Sequence, residues 1–301
     1  MLVTMILLAA GTMVLLGLLF GLVLGWSNVK FAVDQDPKVD EVLAVLPAAN
    51  CGGCGLPGCA EFAKGVVQGQ CKADGCTAGG QKVARMVAAI LGVDLEERCP
   101  YRPVVHCAAD LSKRKGLADY RGEQTCFGAN VIGGVQGCTY GCLGLSDCVT
   151  ACKFDAISIV NGLAVVDYDK CTGCGACEKA CPRHIISMEP FKAERMLVIA
   201  CSNHDSGRLV RQVCDVGCIG CKLCQKMLDV FEVQDNLSRI NYEKYQPTTD
   251  FSAVLEKCPM EGMIYVGKPS QKDLDAVADK VLPARVTDQF ETTADQTQWR
   301  G

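Results

Sequence analysis

The chain has 301 residues, 49% of them hydrophobic, a formal net charge of −4 and 22 cysteines. Length and apolar content allow two or three small cored domains, and the absence of a basic surplus argues against nucleic acid as a partner. Repeated C-x2-C spacing in a chain this long suits metal ligation, and speaks against the disulfide framework of a short secreted protein.

Residues 2–26 carry no charge. As a helix they rise about 37 Å, more than the roughly 30 Å hydrocarbon core of a bilayer, so one transmembrane helix is expected over 1–28, contacting lipid through 2–26. No basic segment precedes the apolar run, which argues against a cleavable signal. Gly17, Gly21 and Gly25 recur at four-residue spacing; this clears one face for another membrane helix, although glycine is common in such spans in any case. Lys30 and Lys38 follow the span and orient it only weakly. Cluster thiolates favour a reducing compartment, so the soluble part is expected on the cytoplasmic side of the inner membrane.

Residues 30–110 read as a small helical domain. A short helix over Pro37 to Leu46 leads to Cys51, Cys54 and Cys59 in a glycine-rich stretch, then a helix over Ala60 to Val67, then Cys71 and Cys76. Cys51, Cys54, Cys59 and Cys76 can close one cluster, with a zinc knuckle as the alternative. Gln81 to Leu91 reads as an amphipathic helix with Val83, Met86, Val87 and Ile90 on one face. Gly53, Gly55 and Gly58 match a dinucleotide fingerprint literally. The match is rejected because no strand precedes it, a proline interrupts it and cysteines are interleaved with it.

Residues 111–136 read as a glycine-rich linker with a short helical piece. Its Lys113, Arg114 and Lys115 are read as a solvated charge run, with docking of an acidic electron donor as the other possibility.

Residues 137–192 hold eight cysteines and read as a two-cluster ferredoxin-like domain. Cys171, Cys174, Cys177 and Cys181, followed by Pro182, have the C-x2-C-x2-C-x3-C-P spacing whose fourth cysteine ligates the neighbouring cluster. The first motif, Cys138, Cys142, Cys148 and Cys152, reads as stretched. Cross-ligation groups Cys138, Cys142, Cys148 and Cys181 on one cluster, and Cys152, Cys171, Cys174 and Cys177 on the other. The extra residues from Leu143 to Asp147 could alter the first cage. Between the motifs, two β-rich runs flank Asn161-Gly162, a hairpin signal.

Residues 193–267 repeat this pattern in decayed form. Cys218, Cys221 and Cys224 are followed by Leu228 where a fourth cysteine is due, and Tyr245 occupies the place of the next motif's first cysteine. Both losses fall on the same cluster, so a single cluster held by Cys218, Cys221, Cys224 and Cys258 is expected, with Cys214 a competing ligand. A hairpin turn is expected at Asp235-Asn236. Residues 268–301 read as a polar tail with a helix start at Ser270 and disorder beyond Pro283.

Cys71, Cys99, Cys107, Cys126, Cys201 and Cys214 are left over and read as buried thiols. His106, His184 and His204 do not read as ligands. No nucleophile with an adjacent base, phosphate loop or carboxylate pair is recognisable, so no catalytic residue is named. The chemistry expected is electron relay through about four [4Fe-4S] clusters.

The apolar helix, the Cys51 to Cys76 motif and the ferredoxin-type repeats from Cys138 onward resemble, in that order, the B subunit of the Rnf complex. The fold expected is α+β: one N-terminal transmembrane helix, a small helical iron–sulfur domain, then ferredoxin-like βαβ-type cluster-binding repeats. The resemblance implies a membrane-anchored subunit of an ion-translocating ferredoxin:NAD oxidoreductase. Soluble ferredoxin would be the electron donor, other Rnf-type membrane and peripheral subunits the acceptors, and ion movement the task of those partners. The alternative is an iron–sulfur subunit of a heterodisulfide-reductase-like enzyme with a substrate-binding cluster.

Overall fold

The structure, a computed structural model, describes residues 2–31, 36–95 and 99–268. The expected helix start at Ser270 and the rest of the tail lie outside the described residues. Helix α1, Leu2–Lys30, is predominantly apolar up to Trp26, with large side chains such as Leu8, Leu22 and Val29 exposed. An 18-residue stretch within Thr4–Lys30 has a mean hydropathy of 2.5, and none of that stretch is buried within the protein. A helix that is apolar all round and covered by nothing is long enough, and apolar enough, to cross a bilayer.

Three helices follow: α2 (Pro37–Val45), α3 (Cys59–Val67) and α4 (Gly80–Leu91). Asp36 caps α2 by accepting from the Lys38 N–H, and Pro37 starts the helix where its missing N–H costs nothing. Val42, Phe62, Ala63 and Val87 form the centre of this unit. Of the expected face of α4, Val87 is buried and Val83 and Ile90 pack against this core, with Ala84 and Ala88 also buried, whereas Met86 is exposed.

The rest is mixed. Strand β1 (Tyr101–Val105) precedes α5 (Cys126–Ile132) and α6 (Asp147–Thr150). Then come the hairpin β2 (Ile157–Val160) and β3 (Leu163–Val166), α7 (Ala176–Ala180) and β4 (Ile186–Pro190). The same succession returns as β5 (Arg195–Ile199), α8 (Gly207–Val213), α9 (Leu223–Met227), the hairpin β6 (Phe231–Gln234) and β7 (Leu237–Ile240), α10 (Ser252–Lys257) and β8 (Met263–Gly267). In both halves the first strand pairs antiparallel with the last: Val105 faces Ile186, and Ile199 faces Met263. The hairpin turns fall at Asn161-Gly162 and Asp235-Asn236, all four residues with positive φ, as a two-residue primed turn requires.

Two features depart from the sequence reading. β1 pairs with β4 across the stretch read as a linker, so the segment ahead of residue 110 is tied to the region read as the 137–192 domain. Arg114, read as part of a solvated charge run, is 8% exposed. Its guanidinium donates to the Ala109 and Gly162 carbonyls and to Gln136 Oε1, and these acceptors account for burying a charge.

Candidate metal centres

Thiols gather at the ends of the short helices. Cys51, Cys54, Cys59 and Cys76 line a cavity of about 330 Å³ between the start of α3 and the loop before α4. Asn50 Oδ1 accepts from the Cys59 N–H at 2.9 Å and fixes the start of α3 at the cavity wall. Burial raises the Cys76 thiol pKa; the Gly79 N–H opposes this, and the neighbouring thiols Cys59, Cys54 and Cys51 add to it. The expected set is therefore together in space.

Cys152, Cys171, Cys174 and Cys177 also converge. The Cys177 thiol is pushed up to about 12 by burial first, then by Cys171 and Cys174, with Cys152 contributing after them. The Arg102 guanidinium hydrogen-bonds the Cys171 carbonyl and places a cation beside this set. This set abuts the first one. A Cβ on Gly53 would lie 3.0 Å from the Cys174 carbonyl oxygen and 2.7 Å from Thr77 Oγ1, so only glycine lets the two loops approach. Lys153 Nζ donates to the Asn50 carbonyl at 3.1 Å across the same contact.

The third grouping differs from the sequence reading. Cys142, Cys148 and Cys181 ring a cavity of about 350 Å³, and their fourth companion is Cys126. Cys138 lines another cavity. The Cys148 thiol is raised by burial, then by Cys142, Cys126 and Cys181, and lastly by Cys177 of the neighbouring set. Cys126 stands at the start of α5, whose first N–H groups, from Cys126 and Phe127, both donate to the Asp147 carboxylate at 2.9 Å. Thr125 Oγ1 accepts from the Gly128 N–H and caps the same end.

The spacing explains the change. Read from Cys142, the residues Leu145, Cys148 and Cys152 keep the step of Cys218, Cys221, Cys224 and Leu228. The first motif is therefore not stretched: it is regular from Cys142, with leucine at its second position. Gly144 and Gly220, the residues before Leu145 and Cys221, both have positive φ and both press on their half's hairpin turn, at the Gly162 and Asn236 carbonyls. The available signal was this leucine in register, together with a spare cysteine on a nearby helix.

Cys218, Cys221, Cys224 and Cys258 line a cavity of about 500 Å³. Cys224 Sγ lies 3.2 Å from Ser238 Oγ, within the reach of a sulfur hydrogen bond. Where this half lacks its other cysteines, aromatic rings fill the space. Tyr245 stacks on Phe251 at 5.4 Å between centroids, and its hydroxyl accepts from the Leu197 N–H at 3.1 Å. Leu228 and Leu237 complete that core.

Of the six cysteines left over in the sequence, Cys99 is exposed, and Cys107, Cys126, Cys201 and Cys214 are buried. His184 and His204 are exposed. His106 is buried, with Nδ1 2.7 Å from the Ile199 carbonyl oxygen and Nε2 2.6 Å from Ser187 Oγ.

Known proteins match along most of this length. A family model described as "Putative Fe-S cluster" covers residues 46–78, and one for a 4Fe-4S binding domain covers 164–187. The B subunit of the Na(+)-translocating ferredoxin:NAD(+) oxidoreductase complex of Acetobacterium woodii is 38% identical over 85% of this chain and 76% of its own length. The B subunit of the ion-translocating oxidoreductase complex of Methanosarcina acetivorans is 36% identical over 82% of this chain and 94% of its own. The B subunit of the proton-translocating ferredoxin:NAD(+) oxidoreductase complex of Clostridium ljungdahlii is 38% identical over 82% and 88%.

The chain belongs to the family of ion-translocating oxidoreductase complex B subunits.

As a member of this iron–sulfur family it is an electron-transfer subunit of an oxidoreductase complex. Its thiol sets suit that chemistry. Zinc bound at about 2.3 Å to sulfur would draw its thiolates to within about 4 Å of one another. Among the described residues no three Cys, His, Asp or Glu side chains are grouped as for a single ion. Thiols gathered in fours, with backbone N–H groups and arginines at hand, match a polynuclear iron–sulfur cluster.

Proposed function

We propose that this chain carries electrons from a reduced ferredoxin, on the cytoplasmic side of the membrane, toward the flavin- and NAD-binding partners of an Rnf-type complex. Four [4Fe-4S] clusters would be held by Cys51, Cys54, Cys59 and Cys76; by Cys152, Cys171, Cys174 and Cys177; by Cys126, Cys142, Cys148 and Cys181; and by Cys218, Cys221, Cys224 and Cys258. The names of the relatives support the donor, the acceptor and the coupling to ion transport. The two halves from β1 to β4 and from β5 to β8 are read as ferredoxin-like repeats, the second having lost one cluster. Each bound cluster supplies one-electron exchange, with a potential set by charge, hydrogen bonds and exposure.

The observation that carries this reading is contiguity. The Gly53 loop lies on Cys174, and Cys177 falls within the electrostatic reach of Cys148, so three sets form a line instead of isolated staples. The protein's task is to hold these thiols in place, keep water from them and set cations beside them: Arg102 near Cys171, and Arg183, which donates to the Cys138 and Gly141 carbonyls. The part of α1 that would cross the bilayer, residues 2–26, carries no charge and offers no ion path. It serves as an anchor, and ion movement belongs to partner subunits.

The test is anaerobic purification of the whole complex. Brown protein with at least about 16 iron atoms in this chain, whose paramagnetic signals appear on adding reduced ferredoxin and fade on adding NAD, is the expected result. A colourless, zinc-loaded chain, or clusters that ferredoxin does not reduce, would overturn the reading.

A further inference from the structure

Four cysteines outside those sets meet at one place. Cys107, Cys138, Cys201 and Cys214 line a cavity of about 420 Å³ between the two halves of the soluble part. We infer that these four thiols hold a fifth [4Fe-4S] cluster, shared between the two repeats. The inference rests on the iron–sulfur reading above and adds to it a centre and a route.

Symmetry is the first argument. Cys107 follows the end of β1 as Cys201 follows the end of β5. Cys138 stands before Cys142 at the same x3 spacing by which Cys214 stands before Cys218. Each half therefore gives the same two positions, and the pairs face each other across the cavity. Buried cysteines acting as small hydrophobes have no reason to appear in matched pairs around one space.

The surroundings of the sulfurs repeat as well. The Cys142 N–H hydrogen-bonds the Cys107 sulfur, and the corresponding Cys218 N–H bonds that of Cys201. Asn203 contributes two more donors, its N–H to Cys201 Sγ and its Nδ2 to Cys138 Sγ, both at 3.5 Å. The N–H groups of Val216 and Gly217 serve Cys214. N–H groups aimed at sulfur are the outer shell that stabilises cluster thiolates. The buried Arg114 adds positive charge beside Cys107, and the antiparallel bridge from Arg114 to Cys214 fastens the two halves at the rim.

Position gives the centre its use. The Cys107 thiol lies within the electrostatic reach of Cys142, and that of Cys201 within the reach of Cys218. This set thus touches the Cys126 cavity on one side and the Cys258 cavity on the other. It joins the last cluster to the other three. The path runs from the Cys51 set through the Cys152, Cys126 and Cys107 sets to the Cys218 set, one electron at a time, with no atom transferred.

Native mass spectrometry of the full-length chain, purified anaerobically in detergent, reads the number of clusters directly. The heaviest species is expected to carry five [4Fe-4S] groups, about 20 iron atoms with matching sulfide. Cys107→Ser and Cys201→Ser, one in each half, are each expected to lower that maximum to four, while Cys71→Ser, outside every set, leaves it at five. If one variant destabilises its half, the other still reads the count. A wild-type maximum of four that neither variant lowers would overturn the fifth centre and leave the four-cluster reading standing. A chain with no iron at all would overturn that reading itself.

Discussion

At the scale of single residues, what decides ligation is where a thiol stands and not which motif it is counted into. Cys126 lies well outside the run of eight cysteines, yet the Asp147 carboxylate, holding the start of α5, brings it to the cavity of Cys142, Cys148 and Cys181. Replacing Cys126 by Ser should remove about four iron atoms from the chain. Cys71→Ser should remove none, as iron and sulfide analysis of the two variants would report. Tyr245, which stands where the pattern of the first repeat has a cysteine, is core. Its ring is 3% exposed and stacked on Phe251, so Tyr245→Ala should cost about 3–5 kcal/mol. That loss would be seen as a lower midpoint in anaerobic thermal unfolding with the iron content unchanged beforehand. Both residues test how far spacing can be read. The Tyr245 substitution was visible because its losses fell on one cluster, whereas the Cys126 contribution depends on a tertiary contact that no local pattern encodes.

At the scale of elements, the hairpins, α2, α3 and α4 were legible because each has a local cause: Asn-Gly and Asp-Asn turns, a proline start, a 3.6-residue apolar period. β1 and β5 were not. Each pairs with a strand far along the chain, so their structure depends on a partner that their own sequence does not name. On α4 the expected face holds for Val83, Val87 and Ile90, and only Met86 turns to solvent. The contact between the Cys51 and Cys174 loops rests on Gly53. Gly53→Val would overpack it at a cost of about 1–3 kcal/mol, and a change of one or two kcal/mol shifts an equilibrium by a factor of roughly 5–30. Limited proteolysis should then cut between α4 and β1 faster by a factor of that order, and reduction of the remaining clusters through the Cys51 set should slow.

At the scale of the whole molecule, four cavities walled by cysteine take up space that side chains fill in other proteins. The cores between them are small: Val104, Leu197, Val198 and Leu237 lie in one, and Val105, Ile157, Ile185 and Ile186 in another. Binding to the folded state alone stabilises it, and for cysteine sites metal binding is in large part folding free energy. Stripping iron with a chelator under reducing conditions should therefore loosen the region from β1 to β8 as a body, read as loss of near-ultraviolet dichroism and rapid amide exchange. Strong retention of protection in the iron-free chain would contradict this.

The cavity between the halves also sets an order of events during synthesis. Cys107 and Cys138 leave the ribosome well before Cys201 and Cys214, and until the later pair arrives they have only half a cage. The early thiols must wait, reduced and uncommitted, while the second half is made. Maturation of this chain would thus finish at its middle, and a nascent chain halted between β4 and β5 would bear two vulnerable sulfurs where the finished one has a closed centre.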